Sequence, residues 1–330
     1  MTKARRRRDP RVVGLGLLFL LWGLAACAVG EAELPTRKPP VALDIAVSLP
    51  PTVSPTAAVS PTPMPPTATF TPTAFLTRTH HPTPTPTASP ETCLQHDGEI
   101  LVTAVPAEML AEDLAYRVYL PPCYQEHSQA RYPVLYLIHG QYFTDDQWDR
   151  LGVDEAADRL IRAGEIAPVI IVMPRDRLWN QPERDPFGQA VMDTLIPAID
   201  AQYRTRPERT FRAIGGLSRG GSWALHLGIQ YWQSFSAVGA HSAAIFWDDA
   251  SSIRGWLEEI PSEAMPRFFV DLGDSDRPEI SDSALGFEGL LTRLRVPHEF
   301  YLFVGDHNED YWRVHIEQYL RWYTAEWADA

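Results

Sequence analysis

The segment Gly216-Leu217-Ser218-Arg219-Gly220-Gly221 holds the side chain best suited to nucleophilic chemistry. It follows a β-type run at residues 211–214 and precedes a helical run at residues 223–229. A reactive serine on a tight strand-to-helix turn needs glycines on both sides, because the two backbones crowd each other there. Ser218 is therefore the candidate nucleophile. The alternative is an ordinary glycine-rich turn with a capping serine.

A serine hydroxyl needs a base to remove its proton and a carboxylate to orient that base. In chains with this serine pattern the acid follows the serine and the histidine comes last. His307 follows a predicted strand at residues 299–304, at the carboxyl end where such sites are built. His307 is thus the candidate base. Of the other histidines, His139 reads as structural and His241, which also follows a strand, as a residue that lines the pocket.

Three aspartates compete for the role of the acid after the predicted strand at residues 267–272. Asp276 lies beyond the strand end, Asp274 lies two residues closer, and Asp271 lies within the strand run. We favour Asp276 and keep Asp274 as the alternative. The cluster could instead bind calcium, but it lacks the EF-hand order of ligands. We therefore predict no metal site.

Eight short β-type runs alternate with helical patterns in residues 93–330. Continuous apolar strands separated by helices are typical of a parallel sheet that is covered on both faces. The sequence therefore predicts one α/β domain with a mostly parallel eight-stranded sheet and helices on both faces. The predicted strands are residues 99–105, 115–120, 132–138, 169–173, 211–214, 236–239, 267–272 and 299–304.

Charge limits the partners of this domain. Residues 91–330 carry 20 basic and 38 acidic side chains, a net charge of −18. Such a domain repels phosphate backbones, so we expect no nucleic-acid partner. The whole chain is 45% apolar with 10 Trp, which suffices for a sizeable core and excludes a fibrous or wholly disordered protein.

The first 92 residues predict a targeting segment and a tether. Residues 1–27 read as a signal peptide, with Arg5 to Arg8 before an apolar run. The segment Leu24-Ala25-Ala26-Cys27 resembles the bacterial lipobox, so we expect an extracytoplasmic protein that is anchored to the cell membrane by a lipid on Cys27. An uncleaved membrane anchor and a freely secreted protein stay open. Residues 28–92 predict a disordered tether, since residues 35–90 contain 15 of the 30 prolines.

With Cys27 lipidated, Cys93 and Cys123 remain, an even number for an oxidising compartment. Cys93 precedes the first predicted strand and Cys123 follows the second. If these strands pair antiparallel, the two cysteines lie close together, so we predict a disulfide between them. Two unrelated thiols are the alternative.

Four separated segments resemble the putative esterase family, which groups esterase D-like hydrolases, feruloyl esterases, enterochelin esterases and antigen 85-like mycolyltransferases. The segments are Tyr116-Arg-Val-Tyr-Leu-Pro-Pro-Cys-Tyr124 with Tyr132-Pro-Val-Leu-Tyr-Leu-Ile-His-Gly140, Leu195-Ile-Pro-Ala-Ile199 with Tyr203, the serine turn, and Gly305-Asp-His307 with Tyr311-Trp312. The resemblance implies the α/β-hydrolase fold, with Ser218, His307 and Asp276 as nucleophile, base and acid.

The same resemblance implies an oxyanion hole made by the backbone N–H of Arg219 and by a second N–H from Gln141 or Tyr142. The sequence departs from the family at two places. Cys123 stands where the family usually has Gly, and Gln141-Tyr142-Phe143 replaces a Gly-rich turn. The bulk of this stretch, with Tyr142 at its centre, would narrow the acyl pocket or shift the second oxyanion donor.

These features predict a tethered serine carboxylester hydrolase that works through an acyl-enzyme, without metal or organic cofactor. Its substrate would be a small-molecule or polysaccharide ester. The same triad would also serve an acyltransferase, in which a sugar hydroxyl captures the acyl group. A non-catalytic surface-binding module on the hydrolase fold is the alternative from another class.

Overall fold

The structure is a computed structural model that describes Gln95 and residues 97–327. In this part of the chain eight strands form one sheet in the order β1-β2-β4-β3-β5-β6-β7-β8. The strands are β1 (Glu99–Val105), β2 (Leu114–Leu120), β3 (Val134–Ile138), β4 (Ile170–Pro174), β5 (Arg212–Leu217), β6 (Ala237–His241), β7 (Arg267–Gly273) and β8 (His298–Phe303).

Most of the sheet is parallel. Strand β1 pairs antiparallel with β2, and β2 pairs antiparallel with β4, whereas every pair from β4 through β8 is parallel. All residues of β3 and β4 are buried, which explains why these two strands read as unbroken apolar runs. The predicted α/β class is confirmed, and each predicted strand run overlaps an observed strand.

Helices cover both faces of this sheet, as predicted. Side chains alternate along β3, so that Tyr136 packs into one core layer while Leu135 and Leu137 pack into the other. One layer is closed by α1 (Gln147–Arg150), α2 (Val153–Arg162) and α8 (Glu309–Thr324). The other is closed by α3 (Phe187–Ala190), α4 (Ile196–Gln202), α5 (Arg219–Gln230), α6 (Ile253–Glu259) and α7 (Pro278–Leu294).

The loops after β5, β7 and β8 all leave the same edge of the sheet, because these strands run parallel. The turn after β5 carries Ser218, the loop after β7 carries Asp276, and the loop after β8 carries His307. This shared edge is what can bring residues 89 positions apart in sequence into contact.

Cys123 lies just after β2 with a φ of 66°, the left-handed region that favours glycine. The structure records Cys123 as disulfide-bonded. Cys93 lies outside the described residues, so the pairing of these two cysteines stays a prediction. The predicted signal peptide at 1–27, with Cys27, and the whole of the predicted tether at 28–92 also lie outside them. Among the described helices, none is both long and apolar enough to cross a membrane.

Candidate active site

Ser218 lies between the end of β5 and the start of α5, with φ 54° and ψ −123°. A positive φ is costly for a residue with a side chain and is typical of a reactive serine on such a turn. A Cβ on Gly216 would collide with the backbone of Gly220, and one on Gly220 would collide with the backbone of Ile138. Both glycines of the motif are therefore required by close backbone approach, as the sequence analysis predicted.

Three predicted residues come together in one hydrogen-bonded chain. The Oγ atom of Ser218 lies 2.9 Å from Nε2 of His307, and Nδ1 of His307 lies 2.9 Å from Oδ1 of Asp276. The side chains of His307 and Asp276 are 8% and 0% exposed. An Nδ1–H that donates to the carboxylate leaves Nε2 free to accept the serine proton, which is the geometry of a serine nucleophile with its base.

Asp274 does not contact His307. Its exposed side chain accepts a hydrogen bond of 3.1 Å from the backbone N–H of Gly305, and the N–H of Ser275 donates to the Gly305 carbonyl at 3.0 Å. Asp274 therefore ties the loop after β7 to the loop after β8. Asp276 lies deeper, where its Oδ1 accepts both the His307 ring and the backbone N–H of Arg277 at 2.7 Å.

The prediction that His241 lines the pocket is wrong. His241 is fully buried at the end of β6, where side-chain alternation directs it toward α8 instead of the site. Its Nδ1 lies 2.5 Å from Oδ1 of Asp271, and its ring stacks on Tyr319 at 3.7 Å. Its backbone carbonyl does reach the site, because it accepts the N–H of Ser218 at 2.8 Å.

Asp271 is the centre of a buried network that the sequence analysis did not find. Its second carboxylate oxygen accepts the hydroxyl of Tyr311 at 2.5 Å and that of Tyr319 at 2.9 Å. Burial beside this carboxylate raises the pKa of Tyr319 well above its ordinary value. The sequence did contain a sign of this network, because an aspartate inside a buried strand needs hydrogen-bond partners. The network fastens β6, β7 and α8, the three elements next to the site.

The residues predicted to form the oxyanion hole either follow Ser218 in the chain or line a pocket with it. The backbone N–H of Arg219 is the first of α5 and precedes the first intrahelical bond, from Ser222 N–H to the Ser218 carbonyl at 3.1 Å. Gln141 and Tyr142 line the pocket with Ser218, and Tyr142 has a φ of 70°. These three residues are thus placed near the nucleophile, and their role as donors stays a prediction.

The side chain of Arg219 points away from the pocket into a second buried network. Its guanidinium forms ion pairs with Asp176 at 2.7 Å and with Asp185 at 3.0 Å, and it donates to the Asn180 carbonyl at 2.6 Å. Desolvation and the neighbouring charge of Asp176 raise the pKa of Asp185. The network joins the serine turn to the loop at residues 175–186, which the sequence analysis did not foresee.

The opening above Ser218 is a pocket of about 360 Å³. Tyr142 is 74% exposed on its wall, and the 42% exposed Trp179 packs edge-on against it with ring centroids 5.2 Å apart. Trp312 packs edge-on against the His307 ring at 5.0 Å. Within residues 97–327, no three His, Cys, Asp or Glu side chains are arranged to hold a metal ion.

The chain is similar in sequence and in structure to known esterases. The chain is 32% identical over 203 residues to an endo-1,4-beta-xylanase/feruloyl esterase of Xylanibacter ruminicola, covering 56% of this chain and 27% of that protein. It is 28% identical over 242 residues to Esterase Rv1288 of Mycobacterium tuberculosis, covering 58% and 51%. A solved ferulic acid esterase superposes with a TM-score of 0.62 at 27% identity, covering 70% of this chain and 99% of that one.

The feruloyl esterase module of Clostridium thermocellum, at 19% identity and a TM-score of 0.58, covers 72% of this chain and 93% of that one and shares its fold. The fold is therefore the α/β-hydrolase fold. The chain spans about a quarter to a half of the length of the curated relatives named above. The profile of the family described as Putative esterase matches residues 107–323, well over half of the sequence. The chain belongs to this putative esterase family.

Proposed function

We propose that the protein is a serine carboxylester hydrolase that works through an acyl-enzyme. The observation that carries this proposal is the chain of Ser218, His307 and Asp276 with two contacts of 2.9 Å, placed at the mouth of a pocket. A non-catalytic binding module would have no need of a strained serine aligned with a buried histidine and carboxylate.

In the proposed reaction the Ser218 oxygen attacks the ester carbonyl while Nε2 of His307 takes the hydroxyl proton. The tetrahedral intermediate collapses, the ester C–O bond breaks, and His307 returns the proton to the departing alcohol. Water then attacks the acyl-enzyme by the same route, giving the free acid and Ser218. Asp276 keeps the His307 ring in the tautomer that this requires. The N–H groups of Arg219 and of Gln141 or Tyr142 would stabilise the oxyanion, by ~3–4 kcal/mol for one donor.

For the acyl group we propose a hydroxycinnamate, esterified to a carbohydrate. Tyr142 and Trp179 form an exposed edge-to-face pair beside the pocket, which suits an aromatic acyl ring. The names of the Xylanibacter relative and of the solved esterase at 27% identity point to the same chemistry. Tyr142 thus serves as a wall for the ring where the family has a less bulky turn.

For the rest of the chain we keep the proposal of an extracytoplasmic lipoprotein. Its support is the sequence of residues 1–27 with Cys27, followed by the Pro- and Thr-rich residues 28–92. Such a tether would hold the esterase domain away from the membrane and bring it to insoluble or polymeric esters.

The test is to label the purified protein with a fluorophosphonate and to assay methyl hydroxycinnamates beside para-nitrophenyl esters. We expect labelling at Ser218, turnover of the aromatic esters, and loss of both in Ser218→Ala. His307→Ala should retain the fold and lose turnover to a similar extent, because the members of a triad act as a unit.

Absence of labelling and of turnover in folded protein would refute the esterase and favour the binding module. Analysis of the reaction products shows whether water or a sugar hydroxyl accepts the acyl group. Release of free acid in the presence of sugar supports the hydrolase, whereas acylated sugar as the main product would establish the acyltransferase instead.

A further inference from the structure

The catalytic pocket carries a cation in a strongly acidic domain. Arg277 is exposed and lines the pocket with Ser218 and His307. Among the described residues, no carboxylate forms an ion pair with its guanidinium. The acidic residue on the pocket wall, Glu309, is already held by Arg150 at 3.1 and 3.2 Å and by Gln147 at 3.2 Å. Arg277 therefore keeps an unpaired positive charge beside the nucleophile.

Helix ends add to this charge. Three helices of 12, 17 and 16 residues, α5, α7 and α8, begin at the pocket. The residues directly before them are Ser218, Arg277 and Asn308, and all three line it. The N-terminus of a helix carries a partial positive charge, which favours anions. The first turns of α7 and α8 also carry acidic residues, Glu279 on α7 and Glu309 and Asp310 on α8, so the unpaired guanidinium of Arg277 is the feature of the pocket that favours an anion.

We propose that the ester substrate carries a carboxylate group near the scissile ester and that Arg277 binds this carboxylate. A guanidinium can donate two parallel hydrogen bonds to a carboxylate, which gives orientation as well as affinity. Arg277 is then a specificity-determining residue. The inference rests on the proposed esterase function and deepens it. The carboxylate can lie in the acyl part or in the alcohol, as in a uronic acid, and the two sources require separate substrates.

The test compares two pairs of synthetic esters that differ only by a carboxylate and its uncharged carboxamide. Para-carboxyphenyl butyrate and para-carbamoylphenyl butyrate place the group in the alcohol. The para-nitrophenyl monoester of adipic acid and its terminal carboxamide place it in the acyl part. For each pair the ratio of kcat/KM, carboxylate over carboxamide, is measured in the wild type, Arg277→Gln, Arg277→Lys and Arg293→Gln. The exposed Arg293 lies in the last turn of α7 and controls for the lost charge.

We expect the wild type to prefer the carboxylate member of at least one pair, and the pair identifies the source. Arg277→Gln should lower that ratio by about tenfold to a hundredfold, the range for a hydrogen bond to a charged group. Arg277→Lys should retain part of the preference and Arg293→Gln all of it. A ratio near one in the wild type for both pairs, or a preference that survives Arg277→Gln, would overturn the proposal. Lack of turnover of all four esters would instead count against the esterase itself.

Discussion

Replacing Asp276 by Asn tests the assignment of the acid most sharply, because the change keeps the shape and removes only the charge. In the structure Oδ1 of Asp276 lies 2.9 Å from Nδ1 of His307 and 2.7 Å from the N–H of Arg277. Since the Arg277 N–H needs an acceptor, the Asn carbonyl oxygen would keep that place. The same oxygen would still accept Nδ1–H of His307, but it would carry no negative charge to stabilise the imidazolium that forms when Ser218 attacks. The amide nitrogen would take the place of Oδ2, which is buried without a hydrogen-bond partner.

The expected loss in kcat is about 10⁴-fold, the value typical of the same substitution in a serine triad, and equals ~5.5 kcal/mol of activation free energy. The matched control is Asp274→Asn. Asp274 accepts the Gly305 N–H at 3.1 Å and the Ser275 hydroxyl at 3.2 Å, and an Asn oxygen can accept both. We expect this control to lose less than about threefold in kcat, or ~0.6 kcal/mol of activation free energy, because Asp274 does not contact His307 and the Asn oxygen keeps both hydrogen bonds.

The assay is steady-state hydrolysis of a para-nitrophenyl ester by both variants, with unfolding curves to show that each retains the native fold. A loss in Asp276→Asn of less than tenfold would contradict the role that the geometry gives this carboxylate. A crippled Asp274→Asn beside an active Asp276→Asn would move the acid to Asp274.

Three further predictions concern stability, processing and the disulfide. Tyr311→Phe removes one hydrogen-bond donor from the buried Asp271 carboxylate, so urea unfolding should show a loss of about 1–3 kcal/mol in the free energy of unfolding. In the control Tyr301→Phe the lost hydroxyl binds the exposed Glu299, so the loss should be less than about 0.5 kcal/mol. Equal losses in the two variants would contradict the network. Cys27→Ser should alter processing or release the protein from the membrane fraction, and unchanged processing and retention would favour an uncleaved anchor. Mass spectrometry of non-reduced protein should yield a Cys93–Cys123 linked peptide, and reduction should lower Tm by removing up to ~3–4 kcal/mol; two freely alkylated thiols would refute the pairing.

The sequence alone predicted the sheet and the serine turn for local physical reasons. Parallel strands that are buried on both faces must be continuous apolar runs, and β3 and β4 show this directly. The turn was visible because the close approach of Gly220 to the backbone of Ile138 admits only glycine. His307 followed from chain order and from its place after a strand.

Only the tertiary structure decided the contacts of the polar side chains at the carboxyl ends of the strands, because these contacts depend on the direction in which each side chain points. Asp271, Asp274 and Asp276 lie within six positions at the end of one strand, and local sequence ranks them without showing their contacts. In the folded chain Asp271 is buried among tyrosines, Asp274 accepts the N–H of Gly305 in the neighbouring loop, and Asp276 contacts His307.

The same limit explains the error at His241. A strand end offers two faces, and the choice between pocket and core depends on which helix packs behind it, here α8 with Tyr319 and Tyr323. These partners lie about 80 positions away in the chain, where no local pattern reports on them. The local order of residues thus determined the elements and the candidate nucleophile, while long-range packing determined which charged groups pair and which stay unpaired.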